Sequence, residues 1–189
     1  MAENRCISTT RLYSGRVINL DMDRVRYPDG SSGELEIVRH PGASAVLPLM
    51  DSTAAGDPRL LLVKQYRYAA ASYLYEVPAG RLAPGETPEA CARRELLEET
   101  GCTTTHLRYL TAIYTTPGFT DELIHLFRAS GLTPGTPNHE IDEFIEPAAV
   151  PLSRAIRMIH DGLIQDAKTI VAILIEARNM STFPDTEFP

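Results

Sequence analysis

The stretch TPEACARRELLEETG, residues 87–101, carries both ends of one helix. Thr87 can cap it, and Pro88 suits the first helical position, where its missing N–H removes nothing. Gly101 can take the left-handed conformation just past the last turn. Inside the helix sit Glu95, Glu98 and Glu99. Positions i, i+3 and i+4 share a face, so these carboxylates point the same way and repel one another. Ala92 and Leu96, with Leu97 close by, can bury the other stripe. Two readings stand: a solvated acidic face, or a helix that presents oxygen ligands to a cation. Glu86, in the preceding loop RLAPGE, can fold back toward the acidic face, and Arg94 can hold a carboxylate with its two-pronged fork. Hard divalent cations such as Mg²⁺ take oxygen ligands of this kind, together with water and substrate phosphates.

Around this helix the pattern is largely strand. RLYSGRVINL and DMDRVRYP alternate apolar and polar residues, and DGSSG supplies a turn before ELEIVRH, which predicts an antiparallel unit over residues 1–41. ASAVLPLM and RLLLVKQYRY read as buried strands joined by a polar loop, and YEVPAG as a short strand ending at a break. LRYLTAIYTT and ELIHLFRA flank the loop PGFTD, and PGTPNHEIDEF is a long polar loop. Ser153 is expected to cap RAIRMIHDG, and Asp166 to cap AKTIVAILIEARNM. Residues 42–180 then form an α/β layered domain, and residues 181–189 a coil tail.

The 189 residues carry 43% apolar and 23% charged side chains, enough for a sizeable core. A net charge of −7 argues against a general nucleic-acid binder, although a bound cation can still bring in a phosphate-bearing small molecule. No stretch is long and apolar enough to span a membrane, and MAENRCISTT lacks a secretory pattern, so a cytoplasmic protein is expected. Cys6, Cys91 and Cys102 form no C-x-x-C pair, and five scattered histidines have no zinc spacing. Neither a phosphate-binding P-loop nor a dinucleotide-binding glycine motif is present.

GRLAPGETPEACARRELLEETGC resembles the Nudix box, G-x5-E-x7-R-E-U-x-E-E-x-G-U with U apolar, through Gly80, Glu86, Arg94, Glu95, Leu96, Glu98, Glu99, Gly101 and Cys102. Only Cys102, a small hydrophobe in place of the commoner aliphatic, is a soft match. The resemblance implies an α/β fold, the Nudix-type α/β/α sandwich with a mixed sheet, here preceded by the small N-terminal antiparallel unit. It also implies hydrolysis of a nucleoside diphosphate linked to another moiety, with Mg²⁺ or Mn²⁺ as cofactor. By carry-over, Glu95 and Glu99 would be the principal metal ligands, with Glu98 assisting and the carbonyl of Ala79 as a further ligand. Glu86 and Arg94 would mainly support the box.

Pro117 lies sixteen residues after Gly101, in YTTPGFTDELIHLF. That loop, with RHPGASAVLPL, VKQYRY, YEVPAG and DAKTI, is similar to the ADP-ribose pyrophosphatase branch of the family, over residues 10–178. GDP-mannose and other nucleoside diphosphate sugar hydrolases share several of these marks, and NADH is a further candidate substrate. Glu122 and Glu143 are the two candidates for the general base. Arg67 is a candidate to grip a phosphate, and Glu76 either binds a ribose hydroxyl or supports the site. Pro117 and Gly118 would shape the substrate loop. The branch further implies a homodimer in which N-terminal strands complete the partner's site, with Arg39 and Tyr27 as candidate contacts. The reading from a different class is a domain that binds ADP-ribose without cutting it; the intact set of box acids argues against that.

Overall fold

The computed structural model describes residues 5–51, 56–138 and 144–180. They fall into two compact units, Met1–Gly42 with Tyr114–Leu123, and Ala43–Ile113 with Ile124–Pro189.

In the first unit, β1 (Cys6–Ser14), β2 (Asn19–Arg26) and β3 (Ser32–Arg39) form an antiparallel sheet in the order β1-β2-β3. The turn expected from DGSSG joins β2 to β3, with Gly30 at a positive φ of 88°. One expectation changes. The alternation in β2 buries acids rather than apolar residues: Asp21 and Asp23 are 3% and 6% exposed, while β1 is exposed along its whole length. The cause is ionic. Arg11 binds Asp21, and Arg39 binds both aspartates.

The second unit is built on strands whose central members are buried from both sides. These are β4 (Ala43–Pro48), β5 (Arg59–Arg67), β6 (Ser72–Glu76), β7 (Ala79–Arg81), β8 (Thr103–Tyr114), β9 (Leu123–Thr133) and β10 (Ile145–Pro151). They make a mixed sheet, β7-β4-β9-β8, in which β4 runs parallel to β9, and an antiparallel sheet, β10-β5-β6. Alternate side chains go to opposite faces. Ala45, Leu47, Leu60, Leu62, Ile124 and Leu126 join one core with Ala155 and Met158 of α2 (Leu152–His160) and Ala172 and Ile173 of α3 (Ala167–Met180). Val46, Leu61, Phe127 and Ala129 join the other with Ala92 and Leu96 of α1 (Pro88–Thr100). This is why AVLPL and LLLV read as continuous apolar runs: both faces are covered, by one helix on one side and two on the other.

YEVPAG is not one strand. Pro78 has no N–H to give, and the chain passes from β6 in one sheet to β7 in the other. The N–H of Val77 donates instead to the Thr169 hydroxyl at 2.8 Å, and that hydroxyl donates to Asp166 at 2.5 Å. Asp166 caps α3 as expected, accepting from the Thr169 N–H at 3.0 Å. Ser153 does not cap α2. It lies inside the helix, and its N–H and hydroxyl both donate to Asp57 at 2.8 Å, so a carboxylate from a distant loop does that work. β10 lacks the alternation of a strand and contains two prolines; it is tolerated at the sheet edge, where a missing N–H breaks no ladder.

Thr169 and Val77 are 0% and 1% exposed. Thr169→Val keeps the shape but strands the Val77 N–H, so a loss of about 1–3 kcal/mol is expected in urea unfolding. An unchanged midpoint would show that the bond carries no weight.

Candidate active site

Helix α1 begins and ends as its sequence dictates. The Thr87 hydroxyl accepts from the Ala90 N–H at 3.2 Å, and Gly101, at φ 72°, donates to the Leu97 carbonyl at 2.8 Å. The acidic stripe is not a solvated face. Glu95 and Glu99 are 7% and 3% exposed, beside the fully buried Ala92 and Leu96. Leu97, expected near the apolar stripe, turns outward instead at 41% exposed. It stands one position beyond Leu96, about 100° round the helix.

Arg94 organises the acids. Its Nε and Nη2 donate to the two oxygens of Glu86, both at 2.9 Å, and its Nη1 donates to Glu98 at 2.9 Å and to Glu95 at 2.5 Å. Nη2 also donates to the Arg81 carbonyl at 3.0 Å, tying the helix to β7. The Arg94 guanidinium, with a further bond from the Ala83 N–H, holds the Glu86 carboxyl down at about 2. Gly80 explains itself: a Cβ there would fall inside the Glu95 carboxylate. Burial pushes the neighbouring Cys91 thiol up to about 11, so it stays protonated and donates to the Gly80 carbonyl at 3.4 Å. Ala79 stands next in β7, paired with Ala45.

Glu95, Glu98 and Glu99 offer only anionic oxygen, which suits a hard cation. Among the described residues, no three His, Cys, Asp or Glu side chains are already gathered as ligands. Glu95 and Glu98 are held on Arg94, so a cation would have to share them with it. The donor chemistry and the glycine cradle at Gly80 fit the metal that the sequence implies.

A second ionic group lies in the same unit. Arg67, at the end of β5, gives Nε and Nη2 to the two oxygens of Glu76 at 2.7 and 2.8 Å. Glu76 is 2% exposed, so it is no surface acid. Its Oε2 also accepts from Lys168 Nζ at 2.5 Å, and Lys168 reaches Asp166 at 2.9 Å. Burial works against the charge of Glu76, but Arg67 and Lys168 outweigh it and hold the carboxyl below its ordinary value. The sequence reading passes over Lys168. Its signal is a lysine in the first turn of an apolar helix, where the helix dipole disfavours a cation and a buried acid must compensate.

The remaining described candidates lie in the first unit. Glu122 accepts from the Thr115 hydroxyl at 2.8 Å and sits 3.5 Å from His40, which sequence reading did not single out. Arg39 commits its fork to three aspartates, Asp21, Asp23 and Asp121, so little of it remains for a ligand. Tyr27 lies over Gly33, where a Cβ would strike its ring. Pro117 and Gly118 are exposed in the loop before Glu122. Glu143 lies outside the described residues, as does the tail at 181–189. The segment leading toward Glu143 is tied to α1: the Asn138 N–H donates to the Glu98 carbonyl at 2.9 Å, and the backbones of Gly101 and Gly135 touch so closely that neither admits a Cβ.

The NUDIX domain matches residues 38–172, from the end of β3 into α3. The chain belongs to the Nudix hydrolase family. It is 41% identical over 173 residues to an ADP-ribose pyrophosphatase of Bacillus subtilis (strain 168), covering 90% of this chain and 91% of that one. It is 38% identical to a methanol dehydrogenase activator of Bacillus methanolicus, with the same coverage. A crystal structure of an ADP compounds hydrolase shares the fold, with a TM-score of 0.78 at 19% identity over 93% of this chain and 92% of that one. Nudix hydrolases in general use divalent metal ions, so a metal-dependent chemistry agrees with the oxygen-rich face of α1. Among the described residues no helix is long and apolar enough to cross a membrane.

Glu76 supplies a pH test. Its folded carboxyl lies below its ordinary 4.5, so its pairing contributes stability above that value and loses it as pH falls further. Glu76→Gln leaves the buried Lys168 and the half-exposed Arg67 undercompensated and is expected to cost about 3–5 kcal/mol at neutral pH. The gap to wild type should narrow below pH 4.5 in urea unfolding. A gap constant across that range would refute the ionic account.

Proposed function

We propose that the protein hydrolyses the pyrophosphate bond of ADP-ribose, giving AMP and ribose 5-phosphate, with Mg²⁺ as cofactor and Mn²⁺ as a substitute. The burial of Glu95 and Glu99 on α1, with Gly80 cut back to seat Glu95, carries this reading. The 41% identity to a protein named ADP-ribose pyrophosphatase supports the substrate.

Glu95, Glu98 and Glu99 would hold the cation, with the Ala79 carbonyl beside them. A bound divalent cation neutralises phosphate charge and makes a bound water more acidic. Arg94 keeps the carboxylates in register and stops them from swinging apart. Arg67 gives a phosphate a planar pair of donors. Glu76 supports Arg67, in preference to binding a ribose hydroxyl, because both of its oxygens are already engaged. Glu122 or Glu143 takes the proton of the attacking water as its oxygen bonds to phosphorus and the bridging P–O bond breaks. The Thr115 hydroxyl and His40 hold Glu122 in place for that role. Pro117 and Gly118 shape the loop that precedes it. The protein acts as a cytoplasmic homodimer, and the exposed strand β1, with Ile7, Leu12 and Tyr13 open to solvent, supports association through the N-terminal sheet.

The test is release of phosphatase-sensitive product from ADP-ribose, GDP-mannose, NADH and diadenosine polyphosphates, each with Mg²⁺ and with a chelator. Turnover that the chelator abolishes, with ADP-ribose preferred, is expected. Preference for another compound would replace the substrate and keep the chemistry, whereas binding of ADP-ribose without turnover would point to a sensor. Glu95→Gln and Glu99→Gln should each lower kcat about a hundredfold or more, because each withdraws several kcal/mol of charge stabilisation. Glu122→Gln and Glu143→Gln, compared side by side, separate the two bases: only the true one should flatten the acidic limb of the pH–rate profile.

A further inference from the structure

Lys168 is 9% exposed and stands in the first turn of α3. That is a poor place for a cation twice over, since burial strips its hydration and the helix start repels positive charge. What holds it charged is a pair of carboxylates. Asp166 takes one N–H at 2.9 Å, and Glu76 takes another at 2.5 Å. Burial opposes the ammonium, but Glu76 and Asp166 prevail and raise its pKa above the ordinary value.

Glu76 in turn is what Arg67 binds. Two parallel hydrogen bonds, from Nε and Nη2, make the guanidinium coplanar with that carboxylate. The direction of the remaining Nη1 edge is therefore set by the plane of Glu76. Arg67 is the member of the group that reaches solvent, with its side chain 41% exposed against 3% for Glu76 and 10% for Lys168. It also lies within electrostatic reach of Glu99. Charges thus alternate from the start of α3 to the acidic face of α1, through Asp166, Lys168, Glu76, Arg67 and Glu99.

We propose that Lys168 is a positioning residue for phosphate recognition: by pinning Oε2 of Glu76, the oxygen that also accepts from Arg67 Nη2, it fixes the plane in which Arg67 offers its fork. The proposal rests on the hydrolase reading above. Without the lysine, Glu76 keeps only the Arg67 fork, so the carboxylate and the guanidinium can turn together. A fork that turns with its carboxylate no longer meets a ligand phosphate in one fixed plane.

A double-mutant cycle tests this with two readouts, kcat and KM for ADP-ribose, and calorimetric affinity for ADP without metal. Lys168→Met should raise KM and weaken ADP about tenfold with a smaller change in kcat. In the Arg67→Ala background the same substitution should change either value less than twofold, because there is no fork left to misplace. Thr169→Val, which takes one hydrogen bond from Asp166 but leaves every charge of the group in place, should lower the melting temperature and change KM far less than Lys168→Met does. Equal losses from Lys168→Met in both backgrounds, or an unchanged KM with only a lower melting temperature, would overturn the proposal. Should the methionine variant not fold, Lys168→Gln, which keeps a donor but no charge, runs the same cycle. A wild type that turns over nothing, yet shows the cycle in ADP affinity, would sink the hydrolase reading alone.

Discussion

The guanidinium of Arg94 binds Glu86 through two parallel hydrogen bonds and reaches Glu95 and Glu98 with its Nη1, so one rigid cation sits among three carboxylates. Without it those acids would face one another across a few ångströms, two of them on adjacent turns of one helix. The same guanidinium reaches the Arg81 carbonyl, so the loop carrying Glu86, the strand β7 and the helix α1 all take their positions from it. A lysine could not do this: a point charge on a flexible stem lacks the planar fork that fixes two oxygens at once. Everything that follows from the acidic face, including the contact of Glu95 with Gly80, depends on that geometry.

The two units solve the problem of burial differently. The larger one has apolar side chains on both faces of its central strands, and it also buries charged groups, among them Glu76, Glu95, Glu99 and Lys168. The smaller one buries little of its apolar material and leaves Ile7, Leu12 and Tyr13 exposed. Its inward positions on β2 are aspartates, neutralised by Arg11 and Arg39. Such pairs specify register, because a slip of one residue would bury the aspartates without their arginines.

What the sequence disclosed was what local chemistry decides. The cap at Thr87, the proline at position 88 and the glycine at 101 set both ends of α1 without reference to the rest of the chain. The box spacing identified the family. What stayed hidden depended on distant partners. Asp21 and Asp23 look like the polar side of an amphipathic strand until Arg39 is placed beside them. Ser153 looks like a cap until Asp57 arrives from 96 residues away. β10 looks like loop because its prolines forbid a central strand, and only its place at an edge permits one. Lys168 carries no pattern of its own; its partner Glu76 is 92 residues distant.

That separation bears on the order in which the protein is assembled. Helix α1 can form from its own signals, and the β5–β6 pairing that brings Arg67 to Glu76 closes a short loop. The parallel pairing of β4 with β9 and the docking of α3 must close much longer ones, which is slower. During synthesis the ribosome would therefore deliver Arg67 and Glu76 well before the cation that completes their group. A chain that has not yet docked α3 carries the acidic helix and the Arg67–Glu76 pair, but not the lysine that completes their group.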